Sequence, residues 1–459
     1  AKLARPVLAR KYKAALAARR EGLQTADILA LLPEGAADDD LLSELGVTSL
    51  EAFELAERCG LDIEFVLAAS TTVANLRAAA VRGGSTLLVE TARHIENDLR
   101  LEPEAVLPTA GSGAECSGSK TASEKGAFFV TGATGFVGSH LTKELLECHP
   151  DVRCCVLVRG PGGRERLEAS LREVGCNEIR RVDVVEGDLS LERFGWSESQ
   201  FVSLARTLRA VFHVGAWVDW LRSYPDLRGA NVVGTATAIS LALTAQSPLH
   251  HISSGAVVVA KQGSSTLARE SGYTASKSVA EALVTKVVSK GTIEATMYRI
   301  GSVTASSTGF ANRDDYPSRY LKTCFELSMA VDSPGLFETI PVDKCAKIIV
   351  AIASSAKKRP LVLPISNLAS WSYAKLAHTL HHMNKQIRAV DAVTFALAVS
   401  RSSCRLRPLS MALQDSSWFA EEEMDQCTET AAALGMKTVA APLTSDYFVR
   451  WARGVGVDI

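Results

Sequence analysis

From Gly126 onward the chain alternates short apolar runs with longer segments of helical period. The first run, AFFV at 127–130, meets a glycine-rich turn. It passes into GFVGSHLTKELLE, whose apolar positions recur every three to four residues. VRCCVLVRG follows at 152–160, then VDVVEGD at 182–188, AVFHVGA at 210–216, HHISSGAVVV at 250–259 and ATMYRIGSV at 295–303, with helical patterns between most of them. Strands that alternate with helices predict an α/β fold, a mostly parallel, doubly wound sheet with helices on both faces. After about residue 358 the rhythm gives way to a mainly helical pattern. This divides the region into a sheet domain at 126–357 and a helical, substrate-facing subdomain at 358–459.

The N-terminal part has a different texture. Residues 21–84 read as short helices joined by polar turns, a small all-α bundle; Leu50, Phe53 and Ala56 share one helical face that runs to Cys59. Residues 85–108 read as one more helix and an exit loop. Residues 109–125, rich in Gly, Ser and Thr and without a large apolar side chain, complete a linker at 85–125. Residues 1–20 carry seven Lys or Arg and no acid, whereas residues 21–66 carry twelve Asp or Glu and one Arg. A compact acidic unit therefore follows a basic helical lead-in. With no initiator Met and no cleavage-like site, that lead-in reads as the tail of a preceding domain.

Composition narrows the class. Of the 459 residues, 47% are hydrophobic and 22% charged, the balance of a globular protein with sizeable cores. A net charge of −1 argues against nucleic acid as a partner, because phosphate binding needs a basic surplus. No run of 18 apolar residues predicts a membrane span. The ten cysteines, irregularly spaced and without zinc-ligand patterns, point to reduced thiols in a cytoplasmic protein and to no metal.

Thr131-Gly-Ala-Thr-Gly-Phe-Val-Gly138 has the form TGxxGxxG between a strand and a helix. In that context Gly132 allows the tight turn, Gly135 lets the backbone approach a pyrophosphate, and Gly138 packs helix on strand. The helix N-terminus, with Thr134, Phe136 and Val137 beside it, offers N–H groups to the phosphates of a dinucleotide. The second strand ends in Arg159, where an NAD-preferring chain would usually carry an acid. A cation there, with Arg164 and Arg166 behind, favours the 2′-phosphate of NADPH. Asp188, followed by Leu189, either bonds the adenine or forms a turn.

Tyr273 and Lys277 stand at i and i+4, on one face of a predicted helix. A neighbouring ammonium is expected to lower the pKa of the phenol and fit it for acid–base work. Lys277 can also bond the nicotinamide ribose. Nineteen residues before Tyr273, Ser253-Ser254 ends a strand where the ligand crevice of such a sheet opens. The expected chemistry is hydride transfer to a carbonyl, with Tyr273 donating the proton and a serine hydroxyl bonding the developing oxyanion.

These stretches, together with VFHVGAWVDWLRSYPDLRGANVVGT, GYTASK, YRIGSV and IPVDK, resemble the thioester reductase domains that end many nonribosomal peptide and polyketide synthases. Such domains also close carboxylic acid reductases and aminoadipate reductase-like enzymes, and belong to the extended short-chain dehydrogenase type with a Rossmann-like sheet. The resemblance implies that Ser254 is the catalytic serine of the pair and that Asn231 helps build the catalytic and cofactor site. It places His213 beside the cofactor, although a packed core histidine fits that position equally well.

Residues 21–84 are similar to acyl or peptidyl carrier domains. Ser49, in Gly46-Val-Thr-Ser-Leu50, matches the serine that takes a covalent 4′-phosphopantetheine, with Thr48 where the family usually has Asp. The same residues also fit a helix capping box, Thr48-x-x-Glu51. Residues 1–13 resemble the closing motif of adenylating enzymes, with Lys2 at its lysine. The resemblances imply NADPH-dependent reduction of a thioester on the chain's own carrier, releasing an aldehyde or alcohol. They imply as partners a phosphopantetheinyl transferase and upstream adenylation or synthase domains. Two rivals share parts of the pattern: a nucleotide-sugar epimerase or dehydratase, and a non-catalytic NADP-sensing protein.

Overall fold

The computed structural model describes residues 85–106 and 126–457, apart from 221, 258–262, 269, 338, 356–358, 366–370, 407–412 and 414–442, and it describes Thr72. The expected carrier with Thr48 and Ser49, apart from Thr72, and the adenylation-like stretch with Lys2 lie outside the described residues.

Seven parallel strands form the central sheet: β1 (Ala127–Thr131), β2 (Arg153–Val158), β3 (Val182–Glu186), β4 (Leu208–His213), β5 (Leu249–Ser254), β6 (Ala295–Ile300) and β7 (Val362–Ile365). Their spatial order is β7-β6-β5-β4-β1-β2-β3. The apolar runs are strands because helices cover both faces of the sheet, so side chains pointing either way must leave water. All five residues of β1 are buried.

Ten helices matter for the site and its setting. They are α1 (Ser85–Leu99), α2 (Phe136–Cys148), α3 (Gly163–Glu173), α4 (Glu198–Ala205), α5 (Tyr224–Arg228), α6 (Gly234–Ala245), α7 (Gly272–Ser289), α8 (Tyr316–Leu327), α9 (Val342–Ala353) and α10 (Ser445–Gly454). One turn of π-helix, Gly229–Val233, joins α5 to α6. Local signals set several helix starts. Ser197 and Gln200 make a capping box on α4, and Asp315 and Thr444 accept the N–H groups of Ser318 and Tyr447 at α8 and α10.

One core, with Phe129, Val211, Leu249 and Met297, lies between the sheet and α6 and α7; another, with Phe128, Val130, Phe212 and Tyr298, lies under α2 and α9. A third gathers Tyr320, Phe337, Trp371, Phe395, Phe448 and Trp451. The division expected at 357/358 does not separate these cores. β7 extends the sheet past residue 357, and the third core draws on residues from Ala305 onward. The two units therefore interleave along the chain.

Helix α1, in the stretch read as linker, is docked on the sheet domain. Ile95 is fully buried in the first core. Asp98, also buried, accepts the Tyr224 hydroxyl at 2.7 Å and bonds the Arg228 guanidinium through Nε at 2.7 Å and Nη2 at 2.6 Å. Lys286 of α7 donates to the carbonyls of Leu99 and Leu101.

Candidate active site

From β1 the chain builds the sheet outward through β2 and β3, then returns to the other side of β1 and continues through β4 to β7. The crevice at this reversal, outside the carboxyl ends of β1 and β4, is where an open sheet of this kind holds its ligand. Thr131 and His213, the last residues of β1 and β4, flank it.

The glycine turn occupies this crevice. Gly132 has φ +72°, and a Cβ there would lie 2.6 Å from Gly215 Cα, so the loops after β1 and β4 approach at backbone contact. At Gly138 a Cβ would come within 2.6 Å of the Gly132 carbonyl carbon and closer still to its oxygen. Helix α2 begins at Gly135 with no side-chain cap, which leaves its N-terminal N–H groups to a ligand. Bare backbone, left-handed at Gly132 and leading three residues later into an uncapped helix start, fits a dinucleotide pyrophosphate. Thr134, Phe136 and Val137 lie in this turn.

The exposed Arg159 follows β2, on the same edge, and its carbonyl accepts from Arg166. Arg166 also donates to the Pro161 carbonyl, while Arg164 pairs loosely with Glu168 at 3.9 Å. Asp188 Oδ1 accepts the N–H of Ser190 at 2.8 Å and its hydroxyl at 2.7 Å, so the carboxylate closes its own turn. Leu189 packs against Gly215 and Gly234, on the inner side of the crevice.

Helix α7 brings the catalytic candidates together. Tyr273 and Lys277 lie one turn apart and both are buried. The Ser254 side chain lies close enough to the Tyr273 phenol to lower its pKa, and Trp220 packs on its ring with centroids 5.1 Å apart. The Ser253 hydroxyl donates to Glu281 Oε1 at 2.6 Å, and Glu281 is ion-paired with Arg299, also at 2.6 Å. Of the two serines, Ser254 is therefore the one beside Tyr273, while Ser253 is tied to the buried ion pair.

The expected acidification of the phenol is not found. Burial pushes Tyr273 up to about 12, and the nearby Ser254 side chain only partly offsets this. The Lys277 ammonium meanwhile donates to the Ile252 carbonyl at 2.8 Å and lies 3.3 Å from His251 Nε2. Burial brings Lys277 down to about 8, against the pull of Glu281. At neutral pH the phenol keeps its proton, the state a donor to a reduced carbonyl requires.

Asn231, on the π-turn, holds the loop that carries the exposed Trp217 and Trp220. Its Oδ1 accepts the Trp217 N–H at 2.7 Å, and its Nδ2 donates to the Trp217 carbonyl and to Ser276 Oγ, each at 3.0 Å. Ser276 in turn donates to the Tyr273 carbonyl. Asn231 thus spans the loop and the catalytic helix. Among the described residues, its position is one where π-geometry interrupts a helix.

His213 stands in a chain with one consistent polarity. The Gly215 N–H donates to Thr131 Oγ1, and the Thr235 hydroxyl is committed to the Asn231 carbonyl at 2.6 Å. The Thr131 hydroxyl then donates to Nδ1 at 2.9 Å, and Nε2–H donates to Thr235 at 3.1 Å. Burial and the Lys277 charge bring His213 down to about 3, so it is a neutral imidazole that ties β1 to α6. Trp217, Trp220 and His251 fall inside stretches that carry the family resemblance, but the sequence assigned them no role.

Residues 130–349 match the NAD-binding family described as Male sterility protein. That stretch is similar to the reductase domains of nonribosomal peptide synthetases and of L-2-aminoadipate reductases. Among curated relatives, a subunit of the linear gramicidin synthase of Brevibacillus parabrevis is 35% identical over 248 residues, 50% of this chain and 5% of its own length. The L-2-aminoadipate reductase large subunit of Penicillium chrysogenum is 31% identical over 259 residues, 49% of this chain and 18% of its own. The chain thus spans a quarter or less of the length of the first curated relatives it matches.

Among solved structures, the terminal R domain of the myxalamid PKS-NRPS pathway superposes with TM-score 0.67 at 26% identity, covering 79% of this chain and 97% of its own. An archaeal thiolation-reductase di-domain gives 0.64 at 19% identity, covering 94% of this chain and 95% of its own, a likeness of fold. The UDP-glucuronic acid 4-epimerase of Bacillus cereus, at 0.51 and 16%, shares the fold as well. The reductase domain is an NAD(P)H-dependent oxidoreductase with a nicotinamide cofactor. No helix among the described residues is long and apolar enough to cross a membrane.

Proposed function

We propose that the reductase domain releases an acyl or peptidyl group from a phosphopantetheine thioester as an aldehyde, with NADPH as reductant. The Tyr273–Ser254 pair at the mouth of the dinucleotide crevice carries this reading. The glycine turn and the α2 N-terminus would hold the pyrophosphate, Arg159 the 2′-phosphate, and Lys277 the nicotinamide ribose. The cofactor, when bound, supplies the hydride to the thioester carbonyl carbon.

Ser254 and Tyr273 then share the work at the carbonyl oxygen. The Ser254 hydroxyl donates a hydrogen bond to the oxygen as negative charge grows there, and Tyr273 gives it a proton. Hydride and proton together make a hemithioacetal. Its C–S bond breaks, the oxygen returns its proton, and the sulfur leaves as a free thiol with the aldehyde. Burial favours this chemistry, because a hydrogen bond to an oxyanion is worth more in a dry site than in water.

A carrier at 21–84 with phosphopantetheine on Ser49 would deliver the thioester at high effective concentration. Both the carrier-like residues and the likeness to a thiolation-reductase di-domain support this. Loading of Ser49 by a phosphopantetheinyl transferase and acylation by upstream domains belong to the same reading. To test it, the protein is given an acylated phosphopantetheine thioester and NADPH, and products are read by mass spectrometry. Aldehyde and free thiol in equal amounts are expected, with turnover lowered about a hundredfold or more by Tyr273→Phe while NADPH binding is retained. A full-speed Tyr273→Phe variant, or conversion only of a nucleotide sugar, would overturn it.

A further inference from the structure

His251 is the one group of the site whose chemistry is unexplained. It lies on β5, in register with His213 of β4, and the two rings stack with centroids 5.3 Å apart and planes 29° from parallel. His213 has partners for both nitrogens. His251 is fully buried and its Nδ1 has no partner among the described residues. Its Nε2 faces the Lys277 ammonium at 3.3 Å. An ammonium only donates, so Nε2 must accept, and the ring proton falls on the unpartnered Nδ1. A buried N–H without a partner costs about 1–3 kcal/mol. An apolar side chain would avoid that cost, so the imidazole is kept for what Nε2 does.

We infer that His251 is a positioning residue of the reductase: its Nε2 and the Ile252 carbonyl fix two of the three N–H donors of Lys277, leaving one for the bound cofactor. The inference rests on the reading of Lys277 as a cofactor ligand. A neutral acceptor suits this place better than a carboxylate, which would hold Lys277 by charge and blunt its attraction for a ligand. His251 cannot relay protons instead, because burial, the Lys277 charge and His213 hold it neutral far below the range where Lys277 titrates. Among the described residues, Glu281 on α7 acts on the ammonium by charge and is itself paired with Arg299 on β6, and His213 on β4 feels the Lys277 charge. Helix α6 brings no charged group.

The test compares His251→Phe, which keeps a ring against His213 but has no acceptor, with His251→Gln, whose carbonyl can replace Nε2. NADPH binding is titrated by fluorescence without substrate, across the pH range in which Lys277 loses its proton, and kcat and KM are measured separately. The expected result for His251→Phe is NADPH binding weakened about tenfold. Its alkaline loss of binding moves to lower pH, and melting without NADPH is unchanged or improved. His251→Gln returns both binding readouts to within about threefold of wild type. Should the Phe variant not fold, His251→Met serves as the variant without a strong acceptor.

Wild-type binding and an unmoved alkaline limb in the acceptor-less variant would overturn the inference, as would a Gln variant no better than Phe. Failure of the thioester reading itself looks different. The wild-type protein would then bind NADPH with the same dependence on residue 251 yet oxidise it with no thioester.

Discussion

Of the four buried imidazoles among the described residues, the three with 2% exposure or less, His213, His250 and His251, make the domain most sensitive to acid. Burial holds His213 and His250 at about 3 and His251 well below its ordinary value, with nearby cations adding to the effect. In the unfolded chain each titrates near 6.5. The folded pKa is the lower one, so below about 6.5 the unfolded state binds more protons, and stability falls as pH falls towards the folded pKa. From about pH 7.5 to about pH 5.5 each histidine loses roughly 1.4 kcal/mol, about 4 kcal/mol for the three.

Asp315 works in the other direction. Burial pushes it up to about 7 against its hydrogen bonds from Ser318, so its folded form takes up a proton over the same interval. That returns about 2 kcal/mol. The cap position of this half-buried carboxylate on α8 favours its charged form, so the offset is an upper bound. The expected net loss is about 2–4 kcal/mol, a large part of a typical domain's stability. Urea unfolding at the two pH values measures it. His250→Gln retains a polar partner for the Tyr298 hydroxyl and should reduce the loss by about 1.4 kcal/mol. A stability that does not change over this interval, or a loss undiminished in that variant, would refute the reasoning.

Three further outcomes follow from the geometry. Gly138→Ala puts a methyl group into the Gly132 carbonyl, so NADPH binding measured by calorimetry should fall below detection, with about 1–3 kcal/mol of stability lost. Arg159→Ala should weaken NADPH binding about tenfold and leave NADH binding nearly unchanged, the difference a 2′-phosphate contact makes. Asp98→Ala strips the partners from Tyr224 and Arg228 and should cost about 2–4 kcal/mol in denaturant unfolding. That reaches below the range of about 3–5 kcal/mol for a fully buried pair, because the Arg228 side chain is 40% exposed.

How much of this was legible in the sequence depended on how local each signal is. Six strands could be read because a strand covered on both faces is an uninterrupted apolar run, and AFFV and CCVLV are such runs. The seventh, VLPI, is four residues with a proline, tolerated because β7 is an edge strand. The glycine turn and the Tyr273–Lys277 spacing are short-range patterns; Lys277 faces His251, which stacks on His213, and His213 bonds Thr131 at the head of the glycine turn.

The burial that raises Tyr273 is a tertiary property, so the i, i+4 argument gave the wrong direction. Which of two adjacent serines is tied away from Tyr273 depends on Glu281, 28 residues away from Ser253. The helix at 85–99 was readable from its period, but its docking is made by Asp98 with Arg228, 130 residues further on. No pattern marks His251, because an unpartnered buried nitrogen is visible only in three dimensions.

The measurement closest to the central claim follows the hydride itself. The protein is incubated with an acyl-phosphopantetheine thioester and NADPH carrying deuterium at the transferable position of nicotinamide C4, with products analysed by mass spectrometry. The account predicts aldehyde with a single deuterium on its carbonyl carbon, formed with an equal amount of free thiol, and almost none from Tyr273→Phe. Aldehyde without deuterium, or thiol released by hydrolysis alone, would contradict it.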